Sequence, residues 1–164
     1  MSIQNILEPN NLNLFCDNLN VSGQIINSWG NIPGLYIVTH NVPLYYNNVQ
    51  ISTLSCTFIR LSSGNIPGIC MMIIPNSPLS SQSVSSQYYL DISSFEDVLI
   101  STTVTIPYII ENNGNYTTGA MQCNSSTNHI IISGGVDLDT YFEAGGNPCG
   151  LPYQGYIIYK QAFA

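Results

Sequence analysis

The stretch Val49–Pro75 reads VQISTLSCTFIRLSSGNIPGICMMIIP, and it decides the fold class. Its first half, Val49–Leu61, alternates apolar and other residues, as a strand does when one face is buried. The alternation changes phase near Thr53, which indicates a β-bulge, because one extra residue swaps the inward-facing set. The second half, Ile69–Ile74, is apolar throughout, which is typical of a strand covered on both faces. A turn rich in Ser, Gly and Pro separates the halves, so the stretch predicts a β-hairpin.

The chain on either side of this hairpin reads as further strands separated by turns. Strands are predicted at Leu35–His40, Tyr88–Ile92, Val98–Ile106, Tyr116–Cys123, His129–Ile132, Val136–Phe142 and Tyr153–Lys160, with a brief helical turn at Ser93–Asp97. Pro107 is expected to end one strand, and Asn113-Gly114 is a hairpin-turn signal. No longer segment has a helical period. The pattern predicts an all-β fold, an antiparallel β-sandwich of about eight to ten strands, with the jelly roll as the favoured architecture.

The length of 164 residues suits one domain. Residues 1–28 differ from the rest, because their short apolar patches are broken repeatedly by turns, and they predict an extended N-terminal arm. The motif GNIPG at Gly30–Gly34 marks the boundary, so the sandwich domain is expected to occupy residues 29–164. Trp29 lies at this boundary, where it either anchors the arm to the domain or belongs to the core.

The composition is unusually poor in charge. Charged residues make up 7% of the chain, the net charge is −7, and the only basic residues are Arg60 and Lys160; soluble proteins usually contain roughly 25% charged residues. Nucleic acids and anionic membranes are bound by clustered basic residues, so neither is expected as a partner. A neutral surface of Asn, Ser, Thr and Tyr favours packing against identical neighbours or recognition of another surface.

The N-terminal sequence MSIQNILEPNNLNLF has neither the charged nor the apolar region of a signal peptide. No run approaches the ~18–20 apolar residues of a membrane helix. The five cysteines are an odd number, which favours reduced thiols over a disulfide framework. Cys56 and Cys70 lie on the two strands of the hairpin, so a bond between them stays open.

Three carboxylates, Asp137, Asp139 and Glu143, fall within seven residues. If Asp137 and Asp139 lie in a strand they share a face and could bind Ca²⁺, although the EF-hand spacing is absent and solvated acids are the alternative. His40 and His129 lack the spacing of zinc ligands. We therefore expect no metal or other cofactor and assign no catalytic residue; a β-sandwich hydrolase using Asp137 or Glu143 is the least favoured alternative.

Tyrosine supplies the more credible binding residues. Tyr45 and Tyr46 precede the hairpin in an expected polar loop, and Tyr88 and Tyr89 form a second pair. Neighbouring residues of a strand face opposite sides, so one member of each pair is expected at the surface. Exposed tyrosines flanked by Asn and Ser suit the recognition of sugars or proteins. Packing of the same rings at subunit contacts is the alternative.

Three segments carry a resemblance to a known group of proteins. They are the arm NILEPNNLNLFCDNLNVSG, the hairpin VQISTLSCTFIRLSSGNIPG and the closing segment GLPYQGYIIYKQ. With these segments the chain resembles the small jelly-roll structural proteins of large DNA viruses and virophages. It is also similar to trimeric fibre-head or C1q/TNF-like domains.

The resemblance implies a non-enzymatic virion structural protein, either a minor or decorating capsid protein or a trimeric fibre head, made in the host cytoplasm. The implied partners are other copies in a homotrimer and other capsid proteins, which the arm would reach. The residues expected to anchor the arm are Leu12, Leu14, Phe15 and Trp29. The alternative function is a carbohydrate- or receptor-binding module, with a host-surface glycan or receptor as partner.

Overall fold

A computed structural model describes residues 26–27, 30–31, 34–63, 66–79, 85–145 and 147–162. Within these ranges the regular structure is twelve strands and one 3₁₀ turn at Glu96–Val98, so the predicted all-β class is confirmed. The strands are β1 Ile26–Asn27, β2 Gly30–Asn31, β3 Gly34–Tyr46, β4 Val49–Ser63, β5 Ile66–Ile74, β6 Ser77–Leu79, β7 Tyr88–Asp91, β8 Val104–Asn112, β9 Asn115–Asn124, β10 His129–Ser133, β11 Cys149–Leu151 and β12 Gly155–Lys160.

Ten of the strands form one antiparallel sheet in the order β12-β5-β4-β3-β7-β10-β9-β8-β11-β6, and β1 pairs with β2 separately. β3, β4 and β5 follow one another by hairpins and β7 returns beside β3, which is a Greek key. β8, β9 and β10 form a meander, and β7 also lies beside β10. These four strands form a second Greek key, in which the separate strand precedes the meander in the chain instead of following it. Pairs of Greek keys are the units from which jelly rolls are built.

The long sheet folds back on itself to give the predicted sandwich. β12, at one end of the sheet order, contacts β8 and β9 near the other end. The Tyr108 hydroxyl on β8 donates to the Gln154 carbonyl oxygen just before β12, at 2.6 Å. The core lies between the two layers that this folding creates, and large side chains such as Phe58, Met72 and Tyr159 fill it.

The central hairpin forms as β4 and β5, with two departures from its sequence pattern. The register of β3 and β4 slips by one residue at Ile51, so the bulge lies slightly before the predicted position, and Cys56 and Phe58 then face the core. Ile69–Ile74 is not covered on both faces, because Ile69 is 54% exposed. Only alternate residues of this run, such as Met72, are buried.

Two predicted strands are wrong in their extent. β8 begins at Val104 and continues through Pro107 to Asn112. Proline is tolerated there because β8 pairs with β9 along its length but with β11 only at Glu111, so the chain at Pro107 has one strand neighbour. The segment expected as a strand at Val136–Phe142 is a loop with a single bridge at Phe142.

Two hairpin turns use residues with positive φ. Asn113 and Gly114 connect β8 to β9 with φ values of 51° and 78°, which confirms the predicted turn. Asn47 and Asn48 connect β3 to β4 with φ values of 48° and 61°. Positive φ at both central residues is the requirement of a type I′ turn, which matches the twist of the paired strands. Tyr45 and Tyr46, expected in a loop, are therefore the last residues of β3.

Cys56, Cys70, Cys123 and Cys149 are buried free thiols. In the β4–β5 ladder Cys70 lies opposite Arg60, which is four residues from Cys56. The possible disulfide bond between Cys56 and Cys70 is therefore not formed. Burial raises the pKa of Cys56 to about 12 and, as the largest of several causes, that of Cys70 to about 11. Because the thiolate is the reactive form, these core thiols are unreactive at neutral pH.

Candidate interaction surfaces

The outer face of β3, β4, β5 and β12 carries large apolar side chains toward solvent. Strand register aligns Ile37, Ile59, Met71 and Ile158 in one row across the four strands. Ile37 is 66% exposed and Ile158 is 51% exposed, whereas the two residues between them are half-buried. A row of this kind at the solvent boundary is unusual, because sheet faces open to water normally carry polar side chains.

Neighbouring rows extend this apolar surface. Leu61 and Ile69 pair on one side of the central row, and Ile73 pairs with Tyr156 on the other. The apolar sheet face is defined here as Ile37, Ile59, Leu61, Ile69, Met71, Ile73, Tyr156 and Ile158. These eight positions cover roughly 260 Å², from strand spacings of about 4.8 Å and two-residue repeats of about 6.8 Å. Contiguous apolar patches of a few hundred Å² are often functional.

The apolar sheet face is almost free of charge. The four strands that build it contain no acidic residue, and Lys160 lies at its corner, beside Ile69. Arg60, the other basic residue, points to the opposite side of the sheet. There its guanidinium lies over the Tyr36 ring at 5.5 Å and 3.6 Å from Asp97 Oδ2.

A partly exposed polar cluster holds the Arg60 side chain on this side of the sheet. His40 Nε2 lies 3.0 Å from Asp97 Oδ1, and the His40 ring stacks on Phe95 with centroids 4.4 Å apart. Arg60 Nε donates to Gln161 Oε1, and Gln161 Nε2 donates to the Asp97 carbonyl oxygen. These contacts tie the 3₁₀ turn to β3, β4 and the end of β12. Sequence reasoning missed the cluster because its members are far apart in the chain.

A second surface is a stack of three rings that crosses β3, β7 and β10. The Tyr45 and Tyr89 rings are parallel within 4°, with centroids 4.9 Å apart. The Tyr89 and His129 rings follow at 4.4 Å and 14°. The ring stack is defined here as Tyr45, Tyr89 and His129. The sequence indicates His129 as a hydrogen-bonded structural residue, with a zinc ligand as the less favoured alternative, and its place beside Tyr89 depends on the β7–β10 register.

Polar groups surround the ring stack. The Tyr89 hydroxyl donates to Asn48 Oδ1 at 3.4 Å, and His129 Nε2 lies 3.8 Å from Asp91 Oδ1. Partial burial, with smaller contributions from Tyr45 and Asp91, raises the pKa of Tyr89, so its phenol stays protonated. Parallel rings this close overlap, and both faces of Tyr89 are therefore covered. The ring stack offers its rims, hydroxyls and amides to a ligand.

The two members of each tyrosine pair differ in burial, although Tyr45 and Tyr89 are half-buried rather than exposed. Tyr46 and Tyr88 are buried, and their rings contact each other at 4.5 Å. Tyr88 also meets the Phe142 ring edge-on at 4.8 Å. Of the four tyrosines named from the sequence, Tyr45 and Tyr89 are thus the two that keep part of their side chains accessible.

The candidate carboxylates do not share a strand face. Asp137 and Asp139 are exposed in the loop after β10, so the expected geometry is wrong for them. Glu143 is separate, and its Oε2 accepts a hydrogen bond from Asn113 Nδ2 at 3.4 Å. In the described part of the chain no three carboxylate, histidine or cysteine side chains gather as metal ligands.

The four residues predicted to anchor the arm, Leu12, Leu14, Phe15 and Trp29, lie outside the described residues. Their role therefore stays a prediction. Among the residues with a described structure, none belongs to a helix long and apolar enough to cross a membrane.

Comparison of the chain with models of known protein families finds no match. A search of curated proteins also finds no match.

Proposed function

We propose that this protein is a non-enzymatic structural component of a virion, associated with the capsid or placed at a fibre head. The observation that carries the proposal is the apolar sheet face. Isoleucine side chains that are exposed to water are less stable than buried ones. Covering the row would lower the free energy by about 25 cal/mol per Å² of apolar area removed from water. This free energy would stabilise an assembly in which a neighbouring subunit covers the apolar sheet face.

The neutral composition supports the same role. The net charge of −7 repels other copies, but a chain with 7% charged residues leaves parts of its surface where copies can meet without bringing carboxylates together. The resemblance described above implies three copies per assembly and an N-terminal arm that docks onto other capsid proteins. We include both in the proposal, with Leu12, Leu14, Phe15 and Trp29 as the residues of the arm that make the contact.

The content of purified particles tests this function. Quantitative mass spectrometry of virions, compared with the infected-cell lysate, is expected to find the chain in a fixed ratio to the major capsid protein. Repeated purification should leave that ratio unchanged. Presence of the chain in infected cells together with its absence from purified particles would contradict the proposal.

The ring stack favours a second candidate, a module that binds a glycan or receptor. Its hydroxyls and the Asn48 amide are neutral hydrogen-bonding groups, which suit an uncharged ligand such as a sugar. A glycan array probed with full-length protein tests this candidate. Binding that is lost in Tyr45→Ala and Tyr89→Ala but kept in Tyr153→Ala, a change at an exposed tyrosine elsewhere, would support it. Failure of the wild-type chain to bind any glycan would exclude a glycan-binding role.

A further inference from the structure

We infer that the apolar sheet face is an interface between copies of this chain. The inference rests on the proposed function and deepens it, because it names the partner that covers the face. The face belongs to four neighbouring strands, β3, β4, β5 and β12, whose outer side no other described element covers.

Charge is the first argument for a second copy as the occupant. The whole chain has a net charge of −7, so two copies repel at most relative orientations. The four strands of the apolar sheet face contain no carboxylate, and their outward side chains include one cation, Lys160, at a corner. This is a surface on which two copies can meet without bringing carboxylates together.

Composition is the second argument. The apolar sheet face covers roughly 260 Å². Thr39 and Thr57, with hydroxyls 3.4 Å apart, lie in one of its rows, and the pair Asn41 and Ser55 continues the same face of β3 and β4 with uncharged side chains. Together these positions cover roughly 400 Å² in the plane of the sheet, about half of the ~800 Å² that each partner contributes to a stable protein interface. An apolar centre with a polar rim is also the composition that such interfaces have.

Chemistry argues against other classes of occupant. A nucleic acid or an anionic membrane would need basic residues, and Lys160 is the single cation on the face. A small ligand would need a concave site of roughly 300–1,000 Å³, whereas the depression beside Thr57 and Ile73 has a volume of about 220 Å³ and is open to solvent. A neutral and apolar surface matches another protein surface of the same character, and a second copy of this chain offers one.

The test compares full-length variants by sedimentation velocity over a range of concentrations. Ile37→Glu and Ile158→Glu each place a carboxylate in the central row, on different strands. Both native side chains are more than half exposed, so the monomer is expected to fold, and circular dichroism checks that it does. Val136→Glu is the matched control, because Val136 is 61% exposed in the loop after β10, away from the face.

We expect the wild type and Val136→Glu to sediment as the same oligomer. Each face variant should weaken self-association at least tenfold and shift the population toward the 17.9 kDa monomer. An oligomer that both folded face variants leave unchanged would overturn the inference, because its interface would lie elsewhere. A wild-type monomer at every concentration would also overturn it and would point to a different protein as the occupant. Neither result bears on whether the chain is present in virions, so failure of the inference and failure of the proposed function are distinguishable.

Discussion

Ile59 and Phe58 are adjacent in β4, and the difference between their surroundings is the basis of the account. Phe58 is fully buried, whereas Ile59 belongs to the half-buried centre of the apolar sheet face. Alternation along the strand assigns the two residues to opposite faces. The sequence predicts this alternation, but it does not show which apolar residues of the outer face lie side by side, and we propose that a second copy covers them.

At the residue scale, the buried thiols predict a pH dependence of stability. The pKa of Cys56 rises from 9.0 to about 12, so between these values the unfolded chain loses a proton that the folded chain keeps. The free energy of unfolding therefore falls as pH rises above about 9, by up to about 1.4 kcal/mol per pH unit for each such thiol. Urea unfolding at pH 8, 9 and 10 measures the slope. Cys56→Ala should make it shallower, and an unchanged slope would contradict the assignment.

Tyr159 gives a second prediction at this scale. Its buried hydroxyl donates to the Val98 carbonyl oxygen at 2.6 Å, which links β12 to the 3₁₀ turn. Tyr159→Phe leaves that carbonyl without its donor and should lower the free energy of unfolding by about 1–3 kcal/mol. Tyr153→Phe, at a tyrosine that is 55% exposed, is the control and should change stability little. Equal effects of the two changes in urea unfolding would show that the buried hydrogen bond is unimportant.

At the scale of elements, the turns and the buried faces could be predicted from the sequence better than the strand boundaries could. The Asn113-Gly114 turn was readable because few residues accept positive φ. The start of β8 was not, because Val98 and Ile100 continue the apolar period although the chain turns there, with Ile100 bridged to Gln161. The apolar period indicates which residues are buried, but it does not indicate whether those residues belong to a strand or to a turn.

The loop after β10 is a second case in which apolar alternation in the sequence does not correspond to a strand. Its residues alternate as a strand would, but side chains from elsewhere hold its backbone. The Leu138 carbonyl oxygen accepts hydrogen bonds from the Ser133 hydroxyl and the Gln87 side-chain amide, and these replace a strand neighbour. Contacts between distant parts of the chain thus decided the conformation around Asp137 and Asp139.

The β8–β9 turn gives the prediction at the element scale. Gly114 has φ of 78°, and an added Cβ would lie 3.1 Å from the Cβ of Asn147. Gly114→Ala should therefore lower the free energy of unfolding by about 1–2 kcal/mol, measured by thermal or urea unfolding. Asn47→Gly, at the first central position of the β3–β4 turn, is the control and should be close to neutral, because glycine accepts its φ of 48°. A neutral Gly114→Ala would be inconsistent with the turn geometry.

At the scale of the whole molecule, the composition indicates the kind of function and the strand register indicates where the candidate surfaces lie. The scarcity of charge was visible in the sequence, and it indicated assembly or surface recognition. The location of the surface was not visible, because the row from Ile37 to Ile158 exists only when four strands pair in one register. The ring stack likewise joins Tyr45 to His129 through Tyr89, across three strands.

The solution mass of the full-length protein, measured by light scattering over a wide concentration range, tests the central claim most directly. The account predicts a self-associated species, with three copies of the 17.9 kDa chain as the proposed state. A mass of two copies would keep the interface and reject the trimer. A mass of 17.9 kDa at every concentration would contradict the claim that this chain assembles with itself.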